Sequence, residues 1–295
     1  MNDTATTGPA DSATRADYAQ PFLFEHLDIR GRLVCLNAAW RGMTEGRSYP
    51  AAIAALLGQT TALTVLLGAA QSKSDKRITL QVRGDGQVPL LVADCSPELK
   101  VRGMAHYAQG AAGSVRSLIG DGRMALTLED TRSGASYQSV VPLEGEDLQE
   151  IFERYISQSE QLPAFLRLYA AGDSLCGLLL EKLPRADERD ADGWNRVTQL
   201  AATLTLPETR AWRPYDLLTR LFPEELLRVY PLRGVQYHCP YDEAKVKDML
   251  RGLGRGELES ILAEKGEIVI VNEMCNHEYR FGADVLAELF EAEPN

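Results

Sequence analysis

The stretch "PAAIAALLGQTTALTVLLG", residues 50–68, constrains the fold more than any other part of the chain. Pro50 suits the first turn of a helix, Gly68 suits its end, and Ile53, Leu56, Leu57, Leu63, Leu66 and Leu67 recur at helical spacing. The spacing predicts a buried, mostly apolar helix, which needs protein on every side. With 295 residues, 45% of them apolar, the chain has enough core-forming material for one large domain, or for a core domain plus a smaller appendage. No run approaches the roughly 20 apolar residues of a membrane span, so a soluble globular protein without a membrane partner is expected.

Strand patterns surround this helix. Residues 1–20 are small, polar and acidic, unlike a signal peptide, and are expected as a flexible lead-in. Phe22, Phe24, Ile29, Leu33 and Cys35 alternate as strands expected to turn at Arg30-Gly31. "RITLQVRGDGQVPLLVAD" reads as a hairpin turning at Gly84-Asp85-Gly86, where glycine is expected to supply positive φ. No helix opens behind these glycines, which excludes a phosphate loop. Residues 110–122 suggest a short apolar turn, and "RMALTLED" and "SYQSVVPL" suggest further strands. An amphipathic helix carries Leu148, Ile151, Phe152, Tyr155 and Ile156 and ends before Pro163.

The pattern changes near residues 185–193, "PRADERDADGW" beginning at Pro184. Only helical segments are expected in the linker that follows it, up to about residue 235, with Pro223 dividing "PYDLLTRLFPEELLRVY" into two short helices. Leu217, Leu218, Leu221, Phe222, Leu226 and Leu227 give these an apolar face that either packs on the core or binds other chains when loosened. Residues 236–295 hold 6 basic and 13 acidic side chains and read as two helices, a strand pair and a closing helix. Leu250, Leu258, Ile261, Leu262, Ile268, Ile270 and Phe281 are its expected core. So small a unit commonly depends on a metal, a disulfide or a neighbour, which draws attention to Cys239 and Cys275.

Charge and cysteine usage narrow the function. The net charge of −11 repels phosphate backbones and makes nucleic acid a poor partner. Five scattered cysteines do not make a secreted disulfide scaffold, so a reducing cytoplasm is expected, with Cys35, Cys95 and Cys176 as buried thiols. An enzyme using Cys275 as nucleophile and His277 as base is an alternative, although no third orienting group is identifiable.

The stretches "GDGQVPLLV", "YISQSEQLP", "GLLLEKLP" and above all "LGRGELESILAEKGEIVIVNEMCNHEYRF" resemble the heat shock protein 33 family, from about Phe22 to about Phe290. The resemblance implies an ATP-independent holdase chaperone, not an enzyme, that binds unfolded client proteins and dimerises when active. The implied fold is α+β: a mixed α/β core domain over 21–184, a helical linker over 185–235 and a small C-terminal α+β domain over 236–295. In the family, C-x-C and C-x-x-C motifs bind zinc when reduced, and oxidation pairs each motif, ejects the metal and unfolds the C-terminal region.

This chain departs from that pattern. Tyr241 stands where the second cysteine of C-x-C is expected, and Asn272 where the first of C-x-x-C is expected. Each motif has lost one member, so the family's two disulfides cannot form. His238 and His277 adjoin the surviving cysteines, but adjacent His238 and Cys239 point in divergent directions, so no cofactor is expected and zinc would have only a weak set of ligands. A bond between Cys239 and Cys275, stapling the module, and two unpaired thiols held by apolar packing both remain open. The redox switch is therefore expected to be degraded or rewired, with thermal loosening of a metal-free module as the trigger.

Overall fold

The computed structural model describes residues 16–70, 75–159 and 161–290. It divides into two compact units, the first running to Tyr237 and the second starting at His238. The first contains strands β1 (Tyr18–Phe24) and β2 (Ile29–Leu36), helices α1 (Ala38–Thr44) and α2 (Ala51–Ala69), then strands β3 (Lys76–Arg83), β4 (Leu90–Cys95) and β5 (Lys100–His106). Next come α3 (Val115–Ile119), β6 (Arg123–Asp130), β7 (Ser136–Val141), α4 (Leu148–Ser159), β8 (Ala164–Ala171) and β9 (Ser174–Lys182). Four short helices follow, α5 (Ala186–Arg189), α6 (Gly193–Ala202), α7 (Leu206–Ala211) and α8 (Pro214–Leu221), and then β10 (Leu227–Val229), β11 (Arg233–Gly234) and β12 (Gln236–Tyr237).

Two sheets enclose α2. One has the order β10-β1-β2-β9-β8, with β11 also on β1, and all its pairings are antiparallel. The other has the order β12-β5-β4-β3-β6-β7, antiparallel except for β12 against β5. Helix α2 packs on β8, β9 and β2 of the first sheet and on β3, β4 and β5 of the second, which is how a helix apolar all round is satisfied. Its buried hydroxyls are also satisfied: Thr60, Thr61 and Thr64 donate to the carbonyls of Leu56, Leu57 and Thr60 at 2.7–2.8 Å. By length and composition alone these 19 residues pass as a membrane span, which corrects the expectation that no run does. Two-thirds of the span is buried inside the protein, as for a core helix.

Several local expectations are overturned. The segment 1–15 lies outside the described residues, but Tyr18, Ala19 and Gln20, expected in a flexible lead-in, belong to β1 and are buried. The β1–β2 turn falls at residues 25–28, where Asp28 takes φ 49°, and not at Arg30-Gly31. Gly31 sits inside β2 because the Phe22 ring lies across it; a Cβ there would come within 2.1 Å of that ring. Gly84 and Gly86 do not take positive φ. They are needed for close approach, since a Cβ on Gly84 would lie 2.2 Å from the Ile119 carbonyl oxygen. Residues 115–119 form the helix α3 in place of a simple turn. Past residue 222 the expected second helix is absent, because "LRV" pairs with β1 as the strand β10.

The second unit contains α9 (Glu243–Leu253), α10 (Arg255–Lys265), the hairpin β13 (Ile268–Asn272) and β14 (His277–Phe281), and α11 (Val285–Phe290). Leu250, Leu258, Ile268, Tyr279, Phe281, Val285 and Leu289 form its core, with Ile261, Leu262 and Ile270 half-buried against it.

Candidate functional site

One candidate site is the apolar face between the first sheet and helices α5–α8. Strands β2 and β9 are buried on both faces along most of their length, and β9 reads as a nearly continuous apolar run from Leu175 to Leu180. Alternation divides each between two cores. Val34, Leu36, Leu175 and Leu179 turn toward α2, whereas Leu33, Cys35, Cys176, Leu178 and Leu180 turn toward the short helices.

The helices form for local reasons but hold their places by packing. Pro214 opens α8, Asp216 lies in its first turn and Arg220 in its last, as the helix dipole favours. A reciprocal capping box between Thr205 and Glu208 starts α7. The Arg220 guanidinium lies 3.5 Å over the Trp212 ring. Arg196 of α6 donates to Glu225 at 2.7 Å and to Asp190 at 2.9 Å, and this bond draws the Asp190 carboxyl below its ordinary range. Because helices of 4 to 10 residues are marginal alone, their order depends on the apolar face beneath them.

Of the six apolar residues singled out, Leu217, Leu218, Leu221 and Phe222 are buried in this interface, with the Phe222 ring edge to face with Phe24 and tilted against Phe22. Leu227 is half-buried in β10 opposite Phe24. Leu226 is 55% exposed and lies outside the group. The sheet half of the face, including Phe22, Phe24, Leu178 and Leu180, was not singled out from the sequence, although the unbroken apolar run of β9 was its available signal.

The second candidate site is a corner of the C-terminal unit. Cys239 precedes α9, Cys275 sits in the β13–β14 turn, and the two form a disulfide with Cα atoms 5.8 Å apart. Asn272 organises the turn: its side-chain oxygen accepts from the Met274 N–H and its carbonyl from the Cys275 N–H, both at 3.1 Å. Asn276 completes it at φ 57°. Tyr241 stacks on Tyr279 with ring centroids 4.5 Å apart, and the Tyr279 hydroxyl accepts from the Asp242 N–H at 3.0 Å. His238 is exposed, and His277 has a buried Nδ1 that meets no hydrogen-bond partner among the described residues.

A zinc ion does not fit this donor set. The two thiols are bonded to each other, and Asn272 and Tyr241 are engaged in the turn and in the stack. One orphan imidazole nitrogen is not a tetrahedral set, and among the described residues no three His, Cys, Asp or Glu side chains converge to hold a metal. While bonded to Cys239, Cys275 also offers no thiolate for nucleophilic chemistry with His277.

The two-sheet core enclosing a buried helix, the short helices over one sheet and the small α+β unit define a class of fold. It matches the crystal structure of the 33 kDa chaperonin (heat shock protein 33 homolog) from Thermotoga maritima with a TM-score of 0.75. That match covers 93% of this chain and 98% of the other at 22% identity, and so bears on the fold alone. In sequence, residues 17–282 match the model of the Hsp33 protein family. A 33 kDa chaperonin of Nitrosococcus oceani is 38% identical over 93% of this chain and 94% of its own. One from Ectopseudomonas mendocina is 35% identical over 93% and 95%. The chain belongs to the Hsp33 family.

Proposed function

We propose that this chain is an ATP-independent holdase chaperone that captures unfolded proteins on the apolar face shared by the first sheet and helices α6–α8. The observation that carries the reading is that Leu217, Leu218, Leu221 and Phe222 are buried on the underside of α8 and at its C-terminal end, in a helix too short to stand alone. Lifting those helices uncovers two complementary apolar surfaces at once, the helix face and the sheet face. Leu226 and Leu227 border the same segment. Capture needs no chemical step and no cofactor. The family names of the relatives support a chaperone, and we extend the reading to a cytoplasmic protein that acts as a homodimer.

Warming is the proposed trigger, because the redox switch is rewired. The two motif cysteines left in this chain, Cys239 and Cys275, make one bond, which joins the entry to α9 with the hairpin turn and restrains the unit. Oxidation then holds the C-terminal unit together, and reduction or heat loosens it.

The test is light scattering from a thermally unfolding client enzyme, with nucleotide absent. Suppression that rises with temperature and does not change on adding ATP is expected. Failure to suppress aggregation at every temperature, in both reduced and oxidised protein, overturns the reading.

A further inference from the structure

Two cysteines outside the C-terminal unit stand face to face. Cys35 of β2 and Cys176 of β9 are direct register partners across the antiparallel pair, and their sulfurs are 3.3 Å apart. Both are buried, on the sheet face covered by helices α5–α8. The Tyr18 hydroxyl donates to the Cys35 sulfur at 3.2 Å, and the Thr209 hydroxyl of α7 bonds Cys176, so the covering layer itself touches the pair. Cys95 provides a contrast: it is equally buried but belongs to the core around α2, away from these helices, and donates to the Ser96 carbonyl.

With the helices in place the pair is inert. Burial raises the Cys176 thiol well above its ordinary range, Cys35 raises it further, and the thiolate is the reactive form. With the helices away, water reaches both sulfurs and that penalty falls. The sulfurs then need to close only from 3.3 Å to a bond of about 2.0 Å between residues already opposite each other in the ladder.

We propose that Cys35 and Cys176 are a lid-gated dithiol, a second redox site that closes to a cross-strand disulfide when α6–α8 lift and a peroxide reaches it. One thiolate attacks hydrogen peroxide; the O–O bond breaks, a sulfenic acid forms, and hydroxide leaves with the first thiol's proton as water. The second thiol displaces the sulfenic oxygen, forming the S–S bond, and its proton departs in a second water. Two sulfurs lose two electrons in all, and one peroxide becomes two waters. The bond stitches β2 to β9 beneath the exposed face.

The inference rests on the proposed lifting of the helices, and the experiment separates the two. Full-length protein, alongside Phe222→Ser to loosen the lid and Cys176→Ala, is treated with hydrogen peroxide at room temperature and on warming. Remaining thiols are then blocked with N-ethylmaleimide and the peptides mapped by mass. Apolar-dye fluorescence and client aggregation on the same samples report lid release. The expected result is a Cys35–Cys176 linked peptide forming at least about tenfold faster once the dye signal rises, with Cys95 still a thiol. In Cys176→Ala, Cys35 runs on to sulfinic acid. Dye binding and client capture without the link overturn the dithiol and leave the chaperone reading intact. Linkage at equal rate with the lid closed overturns the gating. Absence of both lid release and link, in wild type and Phe222→Ser alike, overturns both.

Discussion

The Phe222 ring meets the Phe24 ring edge to face, with centroids 4.9 Å apart and planes at 82°, seating the end of α8 on β1. Truncating a fully buried phenylalanine costs about 3–5 kcal/mol. Here that cost falls on the docking of the short helices, so Phe222→Ala is expected to lower thermal stability and to bring on client capture at a lower temperature. Apolar-dye binding and light scattering along a temperature ramp check this. A lowered melting point with no shift in the onset of capture contradicts the placement of the face.

The Cys239–Cys275 bond closes a loop with a sequence separation of 36 residues. Chain entropy assigns about 4 kcal/mol to such a closure. Dithiothreitol, or Cys239→Ser, is therefore expected to make residues 238–290 protease-sensitive at temperatures where the oxidised protein resists, and the two treatments together should add nothing. Limited proteolysis with and without reductant measures the effect; greater sensitivity after oxidation reverses the proposed polarity.

Metal removal is expected to change nothing. Chelator treatment should leave the melting curve unaltered, because the corner is held by the bond, the Asn272 turn and the Tyr241–Tyr279 stack. Introducing Tyr241→Cys with Asn272→Cys under reducing conditions supplies four thiols and should gain one zinc per chain. Metal content after dialysis, measured on both proteins, decides it, and stoichiometric zinc on the unaltered chain refutes the reading.

Glu153 on α4 accepts from the Leu166 N–H at 2.6 Å, and burial raises its carboxyl above the ordinary value. A raised folded-state value means the native protein binds this proton more tightly than the unfolded chain does. Its favourable contribution is complete below the unfolded value and is lost as pH rises through the folded one. Glu153→Gln keeps an acceptor for Leu166 and removes the ionisation penalty. It should equal or exceed the parent in stability at neutral pH, an advantage that vanishes once the carboxyl is protonated. Urea titrations at neutral and acidic pH compare the two.

The sequence alone determined the features that follow from local period and composition. Residues 50–68 had to be a buried helix because no face of it is polar, and 148–156 an amphipathic one because its apolar residues recur on a single face. The hairpin and helices of the C-terminal unit were legible for the same reason, whereas the loss of one cysteine from each motif is what the resemblance to the family implies. Tertiary structure decided whatever depends on a distant partner. Residues 227–229 lie in a strand because β1 offers them an open edge, and Gly31 is required because Phe22 crosses it from the neighbouring strand. Alternation in β9 has meaning only once one face meets α2 and the other meets the short helices. The sequence left the bond between Cys239 and Cys275 open as one of two states; only the fold of α9 against the hairpin brings their Cα atoms to 5.8 Å. Spacing along a chain sets which residues share a face, but separations of 36 and 141 residues are closed only by packing.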